Sequence, residues 1–318
     1  MSYFKSFNQF IANIPSPLAG LALAIASLGL CWDSVANLNG SVQIMAALVA
    51  SCIILPLLLK FLFNPSLLKQ ELKHPVASSL IPTLPMAMMV VANAIALFSL
   101  QIGQIICWLA LILHFFFLAS FIFYRSKSFN FKQILPSWFI PPIGLVLAVV
   151  THPGGLPPLF AKQLLLLGLI SYAMLLPIIL YRLLFSGPLD NNQKPILIIL
   201  ATPASLLLVG YLAITAQPTP LLFGVLLILA ILMTLYAYIA FFKLLRLPFM
   251  LSYSAFTFPL VVGAIALFKT SHFLLKEGVS AQWIEAIKVL ANIELIIASG
   301  MVIYVAFRFI QKFHIKAN

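Results

Sequence analysis

Only six carboxylate side chains, Asp33, Glu71, Asp190, Glu277, Glu285 and Glu294, occur in 318 residues, and charged residues of both signs make up 8% of the chain. A soluble domain carries about a quarter charged residues, so there is too little polar surface here to cover a water-facing globule. The three cysteines, Cys31, Cys52 and Cys107, fall inside apolar runs and offer neither a disulfide framework nor metal-ligand spacing. His74, His114, His152, His272 and His314 are dispersed, and no two acidic residues pair at helical spacing within an apolar run. A glycine-rich phosphate loop is missing too. These absences argue against a membrane enzyme and a nucleotide-driven pump; no catalytic residue, metal or cofactor is expected.

What the chain has in excess is apolar residues, 63% of the total. At about 20 residues per crossing, this length holds roughly ten membrane spans and no separate soluble domain. Apolar runs bounded by Pro, Gly and charge predict spans at 15–36, 41–63, 75–100, 102–124, 136–151, 158–185, 195–216, 219–242, 250–269 and 284–308. The organisation expected is a cytoplasmic N-terminal interfacial segment (1–14), a ten-helix transmembrane domain (15–311) and a cytoplasmic tail (312–318). In the first segment Phe4, Phe7, Ile11 and Ile14 recur at helical spacing beside Ser6, Asn8 and Gln9, as in a helix lying on a membrane surface.

The net charge of +12 would suggest a nucleic-acid partner if the basic residues were clustered. They are instead distributed over alternate loops. Fourteen of the 18 Lys and Arg residues fall on the side that carries both termini, and Lys162, Lys269, Lys276 and Lys288 fall on the other. Basic residues are retained in the cytoplasm, so both termini are expected there and no nucleic acid is. Lys5 ahead of the first run, with small residues around Ala36, also fits a cleaved signal peptide. Its removal would leave an odd number of spans and spoil the charge asymmetry.

Each odd-numbered span carries a proline several residues in: Pro17, Pro85, Pro142, Pro203 and Pro259, at intervals of 68, 57, 61 and 56 residues. This is a two-helix unit of roughly 60 residues used five times. Odd spans all run in one direction, so the prolines lie at similar depth. A proline inside a helix frees a backbone carbonyl, which lipid cannot satisfy and a protein-lined axis can. Proline is also common in membrane helices generally, and even spans contain Pro56 and Pro177. Away from their ends the odd spans hold no charge except Asp33, near the outer end of the first; Ser16, Ser79, Thr83, Asn93, Thr202, Ser205 and Thr257 are their polar residues. An axis so lined binds ions loosely, which suits rapid passage.

The stretches PSPLAGLALAIASLGLCW, HPVASSLIPTLPMAMM, PSWFIPPIGLVLA, TPASLLLVGYLAI and LSYSAFTFPLVVGAIA, one on each odd span and in order, resemble the tellurite-resistance/dicarboxylate transporter family. That family includes bacterial tellurite-resistance proteins, fungal malate permeases and sulfite pumps, and plant slow-type anion channels. The resemblance implies an all-α integral membrane fold of ten helices in five hairpins, arranged with pseudo-fivefold symmetry. Odd helices are inner and proline-kinked around a central pore, even helices are outside, and the assembly is a homotrimer in a bacterial-type inner (cell) membrane. It implies small anions as permeants and a phenylalanine on the ninth helix that occludes the pore; the matching residue is Phe258, with Phe256 as the competitor. Pore-kink and lining candidates are then Pro17, Gly20, Pro85, Pro142, Gly144, Pro203, Pro259 and Gly263.

Two ionisable residues lie deep in even spans: Glu294 in the tenth and His114 in the fourth. A charge there costs several kcal/mol unless partnered. Both fit structural roles, such as a hydrogen bond near Asn292 or a helix contact. They also fit a proton relay, which would make the protein a proton-coupled transporter of C4-dicarboxylate, sulfite or tellurite oxyanion instead of a passive channel.

Overall fold

A computed structural model describes residues 2–317 and the side chains of residues 6–312; the side chains of Phe4, Lys5, His314 and Lys316 lie outside the described residues. Every regular element among the described residues is helical. The chain opens with α1 (Ser2–Ala12), followed by α2 (Leu18–Ala36), α3 (Ser41–Phe63), α4 (Pro65–Lys73), α5 (Pro75–Leu80), α6 (Thr83–Ile95) and α7 (Leu100–Lys127). After a 3-10 turn at Pro136–Phe139 come α8 (Ile140–Ile143), α9 (Val146–Thr151) and α10 (Pro158–Phe185). A 3-10 helix over Asn191–Ala201 leads into α11 (Thr202–Ile214), then α12 (Pro220–Leu244). A second one, Leu251–Phe256, leads into α13 (Phe258–Lys276), and α14 (Ala281–Ala317) closes the chain.

Nine helical segments among the described residues are long and apolar enough to cross a membrane. The predicted fifth span, 136–151, is absent from these because it is broken into a 3-10 turn and the two short helices α8 and α9. Pro136, Pro141 and Pro142 withhold three backbone donors within seven residues, which prevents a continuous α-helix.

Burial separates two layers. Spans one, three, seven and nine bury 61%, 72%, 83% and 72% of their apolar windows inside the chain; spans two, four, six, eight and ten bury 28–33%. The outer five present Leu62, Ile112, Leu184, Leu221 and Ile303 at their surfaces, as lipid-facing helices do. Within the inner layer α2 packs on α6, α6 on α9, α9 on α11, α11 on α13 and α13 back on α2, closing a five-membered ring. Small residues set the close approach of the hairpins: a methyl on Gly103 of α7 would lie 2.7 Å from the Ala92 carbonyl of α6.

The inner spans change their helical geometry near the prolines instead of running as single straight α-helices. Pro17 caps α2, α6 starts directly after Pro82, and Pro203 and Pro259 stand in the first turns of α11 and α13. A helix start has unpaired N–H groups in any case, so proline there sacrifices no hydrogen bond. Pro85 lies in α6 and Pro142 in α8.

The ends of the bundle are tied by side chains. At one end Asp33 accepts from the backbone of Gly40 and Gln43 at 2.7 and 2.9 Å, capping α3; Gln43 then donates to Asn93, and Asn93 to the Thr151 carbonyl. At the other, Lys60 is buried, ion-paired with Glu71 at 2.6 Å and bonded to Ser16 and the Ile14 carbonyl. In α1, Ile11 is buried while Phe7 and Phe10 are exposed, and Asn8 accepts from Asn64 at 2.7 Å.

Candidate functional site

Two cavities lie inside the ring, one beyond the other. The first, about 50 Å3, is lined by the restart of each inner span: Pro17 and Gly20 of the first, Thr83 and Met86 of the third, Gly144 of the fifth, Thr202 and Pro203 of the seventh, Phe258 and Pro259 of the ninth. The second, about 200 Å3, is lined further along the same five spans by Ser27, Asn93, Thr151, Val209 and Lys269 among others. Two side chains line both cavities: Phe258 and Leu206. Both side chains are buried, Phe258 6% and Leu206 1% exposed.

Phe256 occupies a different place. It is fully buried, with its ring 4.6 Å from Tyr253 and 5.1 Å from Phe241 of the outer helix α12, and it lines neither cavity. The two-residue offset along a 3-10 turn running into a helix sends the two rings in different directions.

The polar groups of the first cavity are largely spoken for. Thr83 donates to the Leu80 carbonyl at 2.7 Å and Ser254 to the Leu251 carbonyl at 3.3 Å, each satisfying an acceptor released where its span breaks. What remains is an apolar chamber surrounded by the N-terminal ends of α2, α6, α11 and α13. No charged side chain of either sign lines it.

The sequence places Lys269 at the end of the ninth span and reads it as a loop residue. In the structure α13 continues to Lys276, and both Lys269 and His272 line the second cavity. The polar run Lys269-Thr270-Ser271-His272 lowers the local hydropathy and mimics a terminus, but Phe273 extends the helix and packs on Phe223 of α12 at 4.8 Å. Leu206 is missed in the sequence as well. Its signal is positional: it follows Pro203 by three residues, one helical turn, as Gly20 follows Pro17 and Val262 follows Pro259, and all three line a cavity.

Pro85 and Pro142 line neither cavity, and Gly263 faces outward from the ring. A methyl there would overlap Oε1 of Glu294. His114 is fully buried, and its Nε2 lies 2.9 Å from the Pro141 carbonyl, so that nitrogen carries the proton and donates. Gly144 makes room for this contact: a methyl on it would come within 2.7 Å of His114 Cε1 and 2.6 Å of Met86 Sδ. His114 therefore anchors the broken fifth span to α7. Glu294 has no such tie. Its Oε1 is buried without a partner.

Comparison with known proteins agrees with this architecture. The chain is 29% identical over 234 residues to an uncharacterized transporter of Methanocaldococcus jannaschii, a match covering 64% of this chain and 67% of that protein. It is 27% identical over 223 residues to a second uncharacterized transporter of the same organism, covering 60% of this chain and 62% of that protein. The chain thus matches about two thirds of the length of these relatives. The voltage-dependent anion channel family model matches residues 13–310, nearly the whole chain, and the chain belongs to that family.

Proposed function

We propose that this protein is a gated channel for small anions, conducting along the axis enclosed by the odd spans and closed at its waist by Phe258 with Leu206. One observation carries this reading: two cavities lined by the same five spans are separated at the two side chains they share. A bulky apolar side chain at a narrow waist excludes water, and an ion cannot shed its hydration there without compensation. Rotation of the Phe258 ring off the axis would join the cavities.

Anion preference in such a path arises without a binding motif. No carboxylate lines either cavity, and Lys269 with His272 raises anion concentration in the second. Neither holds an ion tightly. Selection then follows ease of dehydration, with nitrate above chloride and malate lowest.

A proton-coupled carrier of dicarboxylate, sulfite or tellurite oxyanion is the competing reading. The two intramembrane groups suited to a relay, Glu294 and His114, line neither cavity, which favours the passive path. Assembly as a homotrimer in the cell membrane, with both termini cytoplasmic, belongs to the same proposal, and the one-sided distribution of basic residues supports that orientation.

The test is flux of chloride, nitrate, sulfite and malate in liposomes carrying purified wild type or Phe258→Ala. A large gain in the variant without pH coupling supports the channel. Saturable, pH-linked flux indifferent to Phe258 overturns it.

A further inference from the structure

Away from the axis, a third cavity of about 330 Å3 lies among spans seven to ten, lined by α11, α12, α13 and α14. Its walls are apolar, and Ile231, Leu235, Leu290 and Ile293 at its edge are 48–55% exposed on the lipid-facing surface. Three of its lining residues hold buried polar atoms with no hydrogen-bond partner: Oε1 of Glu294, the Tyr238 hydroxyl and Oγ1 of Thr270. Glu294 is 6% exposed and Thr270 fully buried.

Buried polar groups in proteins are almost always satisfied, and in lipid the penalty for an orphan is larger. Three orphans on three different helices, all on residues that line one cavity, therefore describe a site awaiting a complementary group. A threonine inside a helix ordinarily donates back to its own backbone, as Thr151 and Ser205 do here. Thr270 does not. No Lys, Arg or His among the described residues makes an ion pair with Glu294.

We infer that this cavity binds a lipophilic amine entering from the membrane, its ammonium head on Glu294 with Tyr238 and Thr270 alongside, and its apolar body among the isoleucines and leucines of α12 and α14. The ammonium supplies N–H donors and the positive charge that the carboxylate lacks. An alcohol supplies only the former, and a carboxylic acid brings a like charge. The cavity volume and its ratio of apolar wall to a few convergent polar groups are those of a small-molecule site. The site lies off the conduction axis, so binding does not depend on the role assigned to Phe258.

The experiment measures binding of n-octylamine, n-octanol and n-octanoate to the purified protein in lipid nanodiscs, by thermal shift and native mass spectrometry. Saturable octylamine binding at least tenfold tighter than octanol, lost in Glu294→Gln and retained in Phe258→Ala, supports the site. Leu290→Trp, a change on the lipid-facing edge that fills the entrance, is expected to abolish binding too and carries the test if Glu294→Gln does not fold. Equal affinity for amine and alcohol, unsaturable uptake, or indifference to both variants overturns the proposal. So does dissociation of a native oligomer by Glu294→Gln with no amine binding in wild type, which would make the cavity a contact between copies.

Discussion

Phe258 of α13 and Leu206 of α11 stand on adjacent inner helices, and theirs are the two side chains that border both axial cavities. One of these cavities lies at the first turns of the inner helices and the other further along the same spans.

Removing the larger of the two side chains should join the cavities. Phe258→Ala is expected to raise anion flux in liposomes by about tenfold or more, which corresponds to lowering the barrier by about 1.4 kcal/mol. Leu206→Ala, with less bulk removed, should give a smaller gain in the same assay. Unchanged flux in both, with normal reconstitution, would exclude this pair as the barrier.

Phe256→Ala is the matching control. Its ring packs against Tyr253 and Phe241, so the expected result is destabilisation of about 3–5 kcal/mol with no gain of flux. Thermal unfolding in detergent gives the first value and the flux assay the second. A conductive, fully stable variant would reverse the roles of the two phenylalanines.

His114→Leu removes the donor to the Pro141 carbonyl while keeping the volume near that of the ring. A stability loss of about 1–3 kcal/mol is expected, the cost of leaving a buried acceptor unsatisfied. Gly144→Ala should act on the same contact by displacing His114 and Met86. Melting curves for the two variants and the double variant should show non-additive losses if they share one interaction.

Lys269→Ala should lower anion flux roughly two- to fivefold at low ionic strength, with the difference shrinking as salt is added, because a local excess of anions is screened by salt. Flux measured across a salt series decides this. A deficit that persists at high salt would mean that Lys269 contacts the ion directly or supports the fold.

Much of this architecture is written in the residues themselves. The second span, 41–63, and the sixth, 158–185, match α3 and α10 end to end, because Gly40, Asn64 and Pro158 punctuate them without ambiguity. The five prolines mark the restarts of the inner spans, but not their nature: hydropathy registers that a segment is apolar and does not distinguish a 3-10 stretch from an α-helix. Lys269 shows a related limit, since a polar residue lining an internal cavity looks identical in sequence to one in a loop. Contacts between distant segments are further out of reach. Nothing near Glu294 in sequence indicates that it abuts Gly263 and lacks a partner, and nothing near His114 points to Pro141.

The fragmented fifth span bears on how the protein is made. A stretch of 16 residues built from short turns presents no continuous helix that a membrane-insertion apparatus would accept alone. It lies in the chain between two 28-residue apolar helices, α7 and α10, and the hydrogen bond from His114 to the Pro141 carbonyl ties it to α7, the one made before it. A substitution at His114 should thus lower the yield of correctly integrated protein during synthesis, before any effect on the finished molecule is felt.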